Sequence, residues 1–417
     1  MTTELRVLEP SEWERWFGTL ELAFGGNPWQ DEERALFRDL TECDRSVGVW
    51  DGEECVGTAG AYSFRLSVPG GALVPAAGVT MVSVAATHRR RGILTSMMRR
   101  QLDDVRAWGE PLAVLTASEP AIYGRFGYDL AARRLSAEID TSRVRITAPA
   151  AGEASDGSHD VRLRRVKPDD PAVRDACEAV YAAQLAGRPG MLARRPGWER
   201  LPVVGGGKPK DGVSALQCVL AERHGEVVGF TLFRTRAVWE EAVPEGVVEL
   251  DELYARDPAA YRALWDFLFG IDLTTTVRAG NRPPDDPIQH LVSDVRRCGL
   301  RLRDELYLRP VEVGAALEAR TYRTPVDVVL AVEDSFCPWN EGTWRLSGDS
   351  KGASCERTGD QPELALSVRE LGAAYLGGTS LTALAGAGRV RELRGGALAE
   401  ASAAFGSDVA PWLPHGF

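Results

Sequence analysis

The sequence has no CxxC pair, no run of about 20 apolar residues and no excess of positive charge. Each absence removes a class of function. Cys43, Cys55, Cys177, Cys218, Cys298, Cys337 and Cys355 make an odd, scattered set. Such a set fits buried thiols in a reducing compartment better than a disulfide framework or a zinc site, so no metal is expected. The formal net charge of -11 argues against a nucleic-acid backbone as partner, because such sites need a basic footprint. A cationic small molecule is the more natural guest. Without a long apolar run no membrane span is expected. Glu4, Arg6, Glu9, Glu12, Glu14 and Arg15 occupy the place where a secretory signal would be apolar, and the expected location is cytoplasmic. The two common phosphate loops are missing as well: no GK[ST] follows a glycine turn, and the G-x-G of GGTSLTALAGAGRV neither follows a clear strand nor completes GxGxxG. It reads as tight helix packing.

What remains is an ordinary globular composition, 44% hydrophobic and 26% charged over 417 residues, enough for two to three domains. Glu4 to Leu8 reads as a first strand. A helix follows that places Trp13, Trp16, Phe17, Leu20 and Phe24 on one apolar face and stops at Gly25, Gly26, Asn27 and Pro28. A second helix over 31–43, strands over 47–50 and 55–64 around Asp51-Gly52, and a strand over 74–84 complete an antiparallel meander. The stretch 148–160, APAAGEASDGSHD, has linker composition. Beyond it, GVVELDELYA followed by a helix over 257–269, with Asp257 as N-cap, Pro258 at the first helical position and a stripe of Tyr261, Leu264, Trp265, Leu268 and Phe269, repeats a strand-helix pattern met earlier. A third unit runs from about Pro310 to Phe417, with strands near 327–332, 344–347 and 363–368.

The chemistry concentrates between Thr80 and Tyr128. MVSV is an apolar strand, and Arg89, Arg90, Arg91 and Gly92 form a turn. Leu94, Met97, Met98, Leu102, Val105 and Trp108 then recur at helical spacing. Backbone N–H groups and the positive end of the helix converge on that turn, where a pyrophosphate can sit, and Gly92 removes a side chain at the point of closest approach. Gly109 and Pro111 stop the helix, Leu112 to Leu115 reads as a strand buried on both faces, and SEPAIYGRFGY delivers Tyr123 just past its end. In the repeat, RRRGILT is replaced by RDPAAYR, so the phosphate-approach glycine is missing and no cofactor is expected there. His88 precedes the arginines and is expected to face solvent.

Arginine-x-x-glycine after an apolar strand is the acetyl-coenzyme A pattern of the GNAT acetyltransferases. Here it runs Arg89, Arg90, Arg91, Gly92, Ile93, and Leu94 stands where glycine or alanine is usual. The longer strings AAGVTMVSVAATHRRRGILTSMM and LTASEPAIYGRFGY resemble the Eis-type acetyltransferases of actinobacteria, and the resemblance covers the full length. It implies an α+β fold of two tandem GNAT-like domains, 1–150 catalytic and 151–305 degenerate. A sterol-carrier-protein-like α/β domain over 306–417 follows. It implies acetyl-CoA as acetyl donor, with Val82, Ser83 and Val84 along the pantetheine arm, Arg90, Arg91, Gly92, Ile93, Leu94 and Thr95 at the pyrophosphate, and Ser118 and Glu119 across the splayed strands; a capping role for Ser118 is the alternative. It further implies Tyr123 as general acid, the Phe417 carboxylate as base with its ring anchoring the tail, and a homohexamer.

Acceptors implied are aminoglycosides, other polyamines or lysine side chains. Gly416 and the AFGGN exit of the first helix carry no carboxylate for a polycation. The chemistry asks for the same groups: an alkylammonium near pKa 10.4 must lose a proton before attack, the oxyanion needs N–H donors, and the leaving thiolate needs a proton or strong stabilisation. The contrasting expectation is a non-catalytic lipid- or antibiotic-binding protein with a residual CoA site.

Overall fold

Alternation and turn chemistry lay down the first sheet. The computed structural model describes residues 3–26, 29–147, 160–204 and 212–417. The expected linker therefore lies, except for Asp160, outside the described residues, as do Asn27 and Pro28. Strand β1 (Glu4–Val7) pairs antiparallel with β2 (Val47–Asp51). The Asp51-Gly52 turn, with Gly52 at φ +63°, leads into β3 (Glu54–Ser67), which pairs antiparallel with β4 (Leu73–Val84). Helix α1 (Trp13–Ala23) buries Trp13, Trp16, Phe17 and Leu20, one stripe at helical spacing. Phe24, expected on that stripe, is exposed because the helix ends one residue before it. Helix α2 (Asp31–Leu40) is shorter than expected, and Cys43–Arg45 forms a separate 3-10 turn.

Helix α3 (Ile93–Ala107) carries the chain from β4 to β5 (Leu112–Leu115), and the two strands run parallel. Its buried stripe is Ile93, Met97, Met98, Gln101, Leu102 and Val105. Trp108, expected on it, falls beyond the helix and lies against the Arg45 guanidinium, 3.9 Å from its carbon to the ring centre. Gln101, which no hydrophobic pattern flags, is buried because its amide donates to Gly60 O at 2.9 Å. On its other side β5 pairs antiparallel with Tyr307–Pro310, the end of strand Arg301–Pro310.

Met1–Arg133, Ala186–Ala193 and Asp304–Phe417 form one compact unit, Arg134–Leu185 and Arg194–Arg303 another. The first unit also holds a five-stranded sheet in the order Ala353–Arg357, Gly342–Gly348, Val326–Glu333, Leu364–Ser367, Arg391–Glu392. Near it Tyr322, Tyr375 and Phe405 are buried around Arg320, which donates to the carbonyls of Thr321, Tyr375 and Phe405. Helix Leu381–Gly386, at the G-x-G stretch, buries Leu381 and Leu384.

In the second unit strand Gly246–Ala255, helix Pro258–Phe269 and strand Thr274–Arg282 repeat the parallel crossover of β4, α3 and β5. Asp257 is the N-cap as expected: its carboxylate accepts from Ala260 N at 3.0 Å and pairs with Arg223. All seven cysteines are free thiols and six are buried; Cys43 is half-buried.

Candidate active site

The site begins where two parallel strands part. Among the described pairings β4 meets β5 only from Ala76 to Gly78, opposite Leu112 to Val114. Past Gly78 strand β4 continues to Val84 with its other edge on β3, so the backbone of Val82, Ser83 and Val84 has no strand neighbour on the β5 side among those pairings. A bulge re-aims this edge. Met81 has φ +53°, and the register slips between Thr58 opposite Ser83 and Gly60 opposite Thr80. The Thr58 hydroxyl lies 2.6 Å from Met81 O and 2.7 Å from the Ser83 hydroxyl. The side chain of Ser83 is thus engaged with β3, and its main chain is what a ligand along β4 would meet.

At the end of this edge the turn expected to bind an anion has the backbone for it. Arg90 (φ +62°) and Gly92 (φ +80°) are both left-handed, an arrangement that converges N–H groups on one point. Gly92 is the N-cap of α3 and makes no side-chain cap, and a Cβ there would meet nothing within 4 Å. Arg89, Arg90, Arg91, Gly92 and Thr95 are exposed. Ile93 is buried and Leu94 half-buried, so Ile93 can offer a ligand only its main chain, and usual glycine or alanine at position 94 gives way to a side chain packed on the core. His88 does not face solvent. The 3-10 turn Ala86–His88 folds its ring inward, Nδ1 to Thr87 Oγ1 at 2.8 Å and Nε2 3.3 Å from Asp51 Oδ2, which ties the turn to the β2–β3 hairpin.

Beyond β5 a 3-10 turn, Pro120–Phe126, carries Tyr123. Ser118 and Glu119 are exposed. Glu119, not Ser118, is the N-cap, and it makes no side-chain cap bond. The Tyr123 ring is half-buried and meets Tyr128 edge-on, 6.1 Å between centroids at 77°. Burial, reinforced by the charge of Glu119, pushes its phenol up to about 12. Phe126 and Tyr128 are buried in the core.

Phe417 seats at the same fork. Its ring is edge-on to Phe64, 5.1 Å between centroids at 68°. A Cβ on Gly78 would overlap Phe64 and lie 3.2 Å from Phe417 Cε2. The tail leading there is clamped: Trp412 N donates to Pro189 O at 2.9 Å and Arg188 Nη1 to Ala410 O at 2.6 Å. The clamping segment is itself laced onto β3, by Gly190 N to Ser67 O and Ser67 N to Met191 O, both 2.8 Å.

Sequence reading missed three contributors. Gly78 has no local signal. The segment Ala186–Ala193 lies far along the chain from the residues it holds. Arg309, whose guanidinium donates to Phe126 O, closes the Tyr123 turn. A charged residue within the apolar strand ending LYLRP was its one visible sign. Among the described residues no group of three or more His, Cys, Asp or Glu side chains could hold a metal ion, and no helix is long and apolar enough to cross a membrane.

Comparison with known proteins fits this geometry. Residues 4–131 and 190–310 each match an acetyltransferase (GNAT) domain family, and residues 313–414 match a sterol carrier protein domain. The chain is 65% identical over 417 residues to an uncharacterised N-acetyltransferase of Streptomyces avermitilis, covering all of both chains. It is 33% identical over 387 residues to the N-acetyltransferase Eis of Mycobacterium tuberculosis, covering 91% of this chain and 90% of that one. The crystal structure of Eis1 from Mycobacterium abscessus superposes with a TM-score of 0.83 at 33% identity, covering all of both chains. Two GNAT domains and a sterol-carrier-like domain, with a splayed strand pair and a left-handed turn at the start of α3 in the first, place this chain in the Eis family of GNAT N-acetyltransferases.

Proposed function

We propose that this N-acetyltransferase moves the acetyl group of acetyl-CoA directly to a primary amine of an aminoglycoside, a polyamine or a lysine side chain, without a metal. The observation that carries the reading is the fork past Gly78, where among the described pairings one edge of Val82–Val84 has no strand neighbour, and which ends at the left-handed turn of Arg90 and Gly92. The pantetheine arm pairs with that edge, and the main chain of Arg90 to Thr95, with the end of α3, takes the pyrophosphate. Ser118 and Glu119 border the donor from the β5 side. The amine nitrogen attacks the thioester carbon, N–H groups of β4 hold the oxyanion, and the C–S bond breaks.

The Phe417 carboxylate takes, through a bridging water, the proton that the nitrogen sheds as the C–N bond forms, because a carboxylate of pKa about 3.5 is too weak a base for a free alkylammonium of about 10.4. Tyr123 faces the departing sulfur. With its phenol at about 12 and a thiol near 8.5, complete hand-over of the proton is uphill by about 5 kcal/mol. A hydrogen bond to the developing thiolate, rather than a free tyrosinate, therefore carries the role. The second GNAT domain has the Asp257 carboxylate where an anion would sit, which supports one acetyl-CoA per chain. The family resemblance supports a homohexamer in the cytoplasm, checked by sedimentation.

The test is a thiol-release screen with acetyl-CoA against aminoglycosides, polyamines and lysine peptides, run beside Tyr123→Phe and a variant lacking Phe417. Turnover with at least one amine is expected, lost without Phe417 and lowered but still measurable in Tyr123→Phe, while both variants still bind acetyl-CoA. Acetyl-CoA binding with no thiol release for any amine would favour a binding protein instead. Parent-level turnover in either variant would remove that residue from the mechanism.

A further inference from the structure

The turn that presents Tyr123 ends at Phe126, whose carbonyl accepts from Arg309 Nη1. Arg309 is fully buried, and its Nη2 donates to the equally buried carboxylate of Asp334. Asp334 is fixed in turn: Oδ1 accepts from Cys337 N at 2.9 Å, and Oδ2 accepts from Asn340 Nδ2 at 3.0 Å. Asn340 is held by Val313 N and Val311 O, both at 3.0 Å. This makes one continuous chain of hydrogen bonds from the loop after strand Val326–Glu333 to the carbonyl three residues past Tyr123.

The turn is shaped around that guanidinium. Gly127 has φ +86°, and a Cβ there would overlap Arg309 Nη1. The Phe126 ring is locked edge-on against Phe336, 5.1 Å between centroids. Burying two charges is a poor way to gain stability, because desolvation offsets their attraction and well-packed apolar residues serve as well. A forked cation with one arm on a fixed carboxylate and the other on a turn's closing carbonyl does something apolar residues cannot. It sets the direction in which the turn points its side chain.

We infer that Arg309, oriented by Asp334, is a positioning residue for Tyr123. The inference rests on the reading of Tyr123 as the group that faces the leaving sulfur. It also gives the region around Asp334 and Asn340, in the sterol-carrier-like domain, a part in catalysis distinct from ligand carriage.

The experiment is a double-mutant cycle on the full chain, with kcat and KM for acetyl-CoA measured for Arg309→Lys and Asp334→Asn in the parent and in Tyr123→Phe. Loss of orientation is expected to lower kcat by about 10- to 100-fold and leave KM within about twofold. In the Tyr123→Phe background neither change should lower kcat further, because the group they aim is gone. Equal losses in both backgrounds, or an unchanged kcat in the parent, would overturn the inference. Should Arg309→Lys not fold, as judged by its melting temperature, the shape-conserving Asp334→Asn carries the same test. Parent-level kcat in Tyr123→Phe alone would overturn the Tyr123 reading instead, and that outcome is read from the single variant.

Discussion

The ring of Phe417 stands over Gly78, 3.2 Å from where a side-chain carbon would begin, at the last residue that β4 shares with β5. Residue 417 and the strand fork are thus packed together although 339 positions separate them in the sequence (417 − 78). Gly78→Ala should push aside the Phe64 ring, which its Cβ would overlap, and with it the Phe417 ring packed edge-on against Phe64. A fall in kcat of at least about tenfold is expected, with acetyl-CoA binding by calorimetry kept within about threefold and a stability loss of about 1–3 kcal/mol from overpacking. Parent-like kcat in a folded Gly78→Ala protein would show that the seat of Phe417 does not matter to turnover.

Gly92→Ala separates conformation from contact. Its Cβ would meet nothing, so the cost is the left-handed backbone, about 1–2 kcal/mol. Each 1.4 kcal/mol is a factor of about ten in affinity. An alanine turn that relaxes when empty must be returned to the left-handed form on binding, so the KM for acetyl-CoA should rise by up to about tenfold while kcat at saturation stays near the parent's. A change confined to kcat would place the pyrophosphate elsewhere.

One acetyl-CoA should bind per chain. Helix α3 begins at an uncapped glycine, whereas helix Pro258–Phe269 begins at Asp257, whose carboxylate accepts Ala260 N, pairs with Arg223 and so fills the place where phosphate would approach. Isothermal calorimetry should return a stoichiometry near one; a value near two would mean the second unit binds donor despite its cap.

The pH dependence follows from the direction of the Tyr123 shift. Burial raises its folded pKa from about 10 to about 12. Tyr62 and Tyr128 are buried and raised as well. For groups that are neutral when protonated, the stability tied to these shifts is fully present below the unfolded pKa near 10 and drains away as pH rises towards the folded values. Urea midpoints should therefore hold up to about pH 9.5 and fall steeply above it. The fall should be smaller in Tyr123→Phe, and kcat should show no limb from Tyr123 ionisation below about pH 11. Equal alkaline destabilisation of parent and variant would count against a buried Tyr123 phenol.

Much of the fold could be read because its signals are local. Asp51-Gly52 marks a hairpin, MVSV followed by a glycine turn and a periodic helix marks a crossover, and Asp257-Pro258 marks a helix start; each rests on neighbours a few residues apart. Misreadings arose where tertiary packing overrides period. Phe24 and Trp108 fit their stripes but fall just beyond the helices, Gln101 breaks its stripe but finds a carbonyl, and His88 turns inward to meet Asp51.

The sequence by itself marked the candidate anion-binding turn, because its arginines, its glycine and the helix start are contiguous in the chain. It determined as well that the second copy lacks that turn. The parting of β4 from β5, the seat of Phe417 on Gly78 and the anchoring of the Tyr123 turn by Arg309 and Asp334 were decided only in three dimensions. Each depends on groups that are far apart along the chain, and their pairing is selected by burial and hydrogen-bond satisfaction in the folded core, which no local pattern encodes.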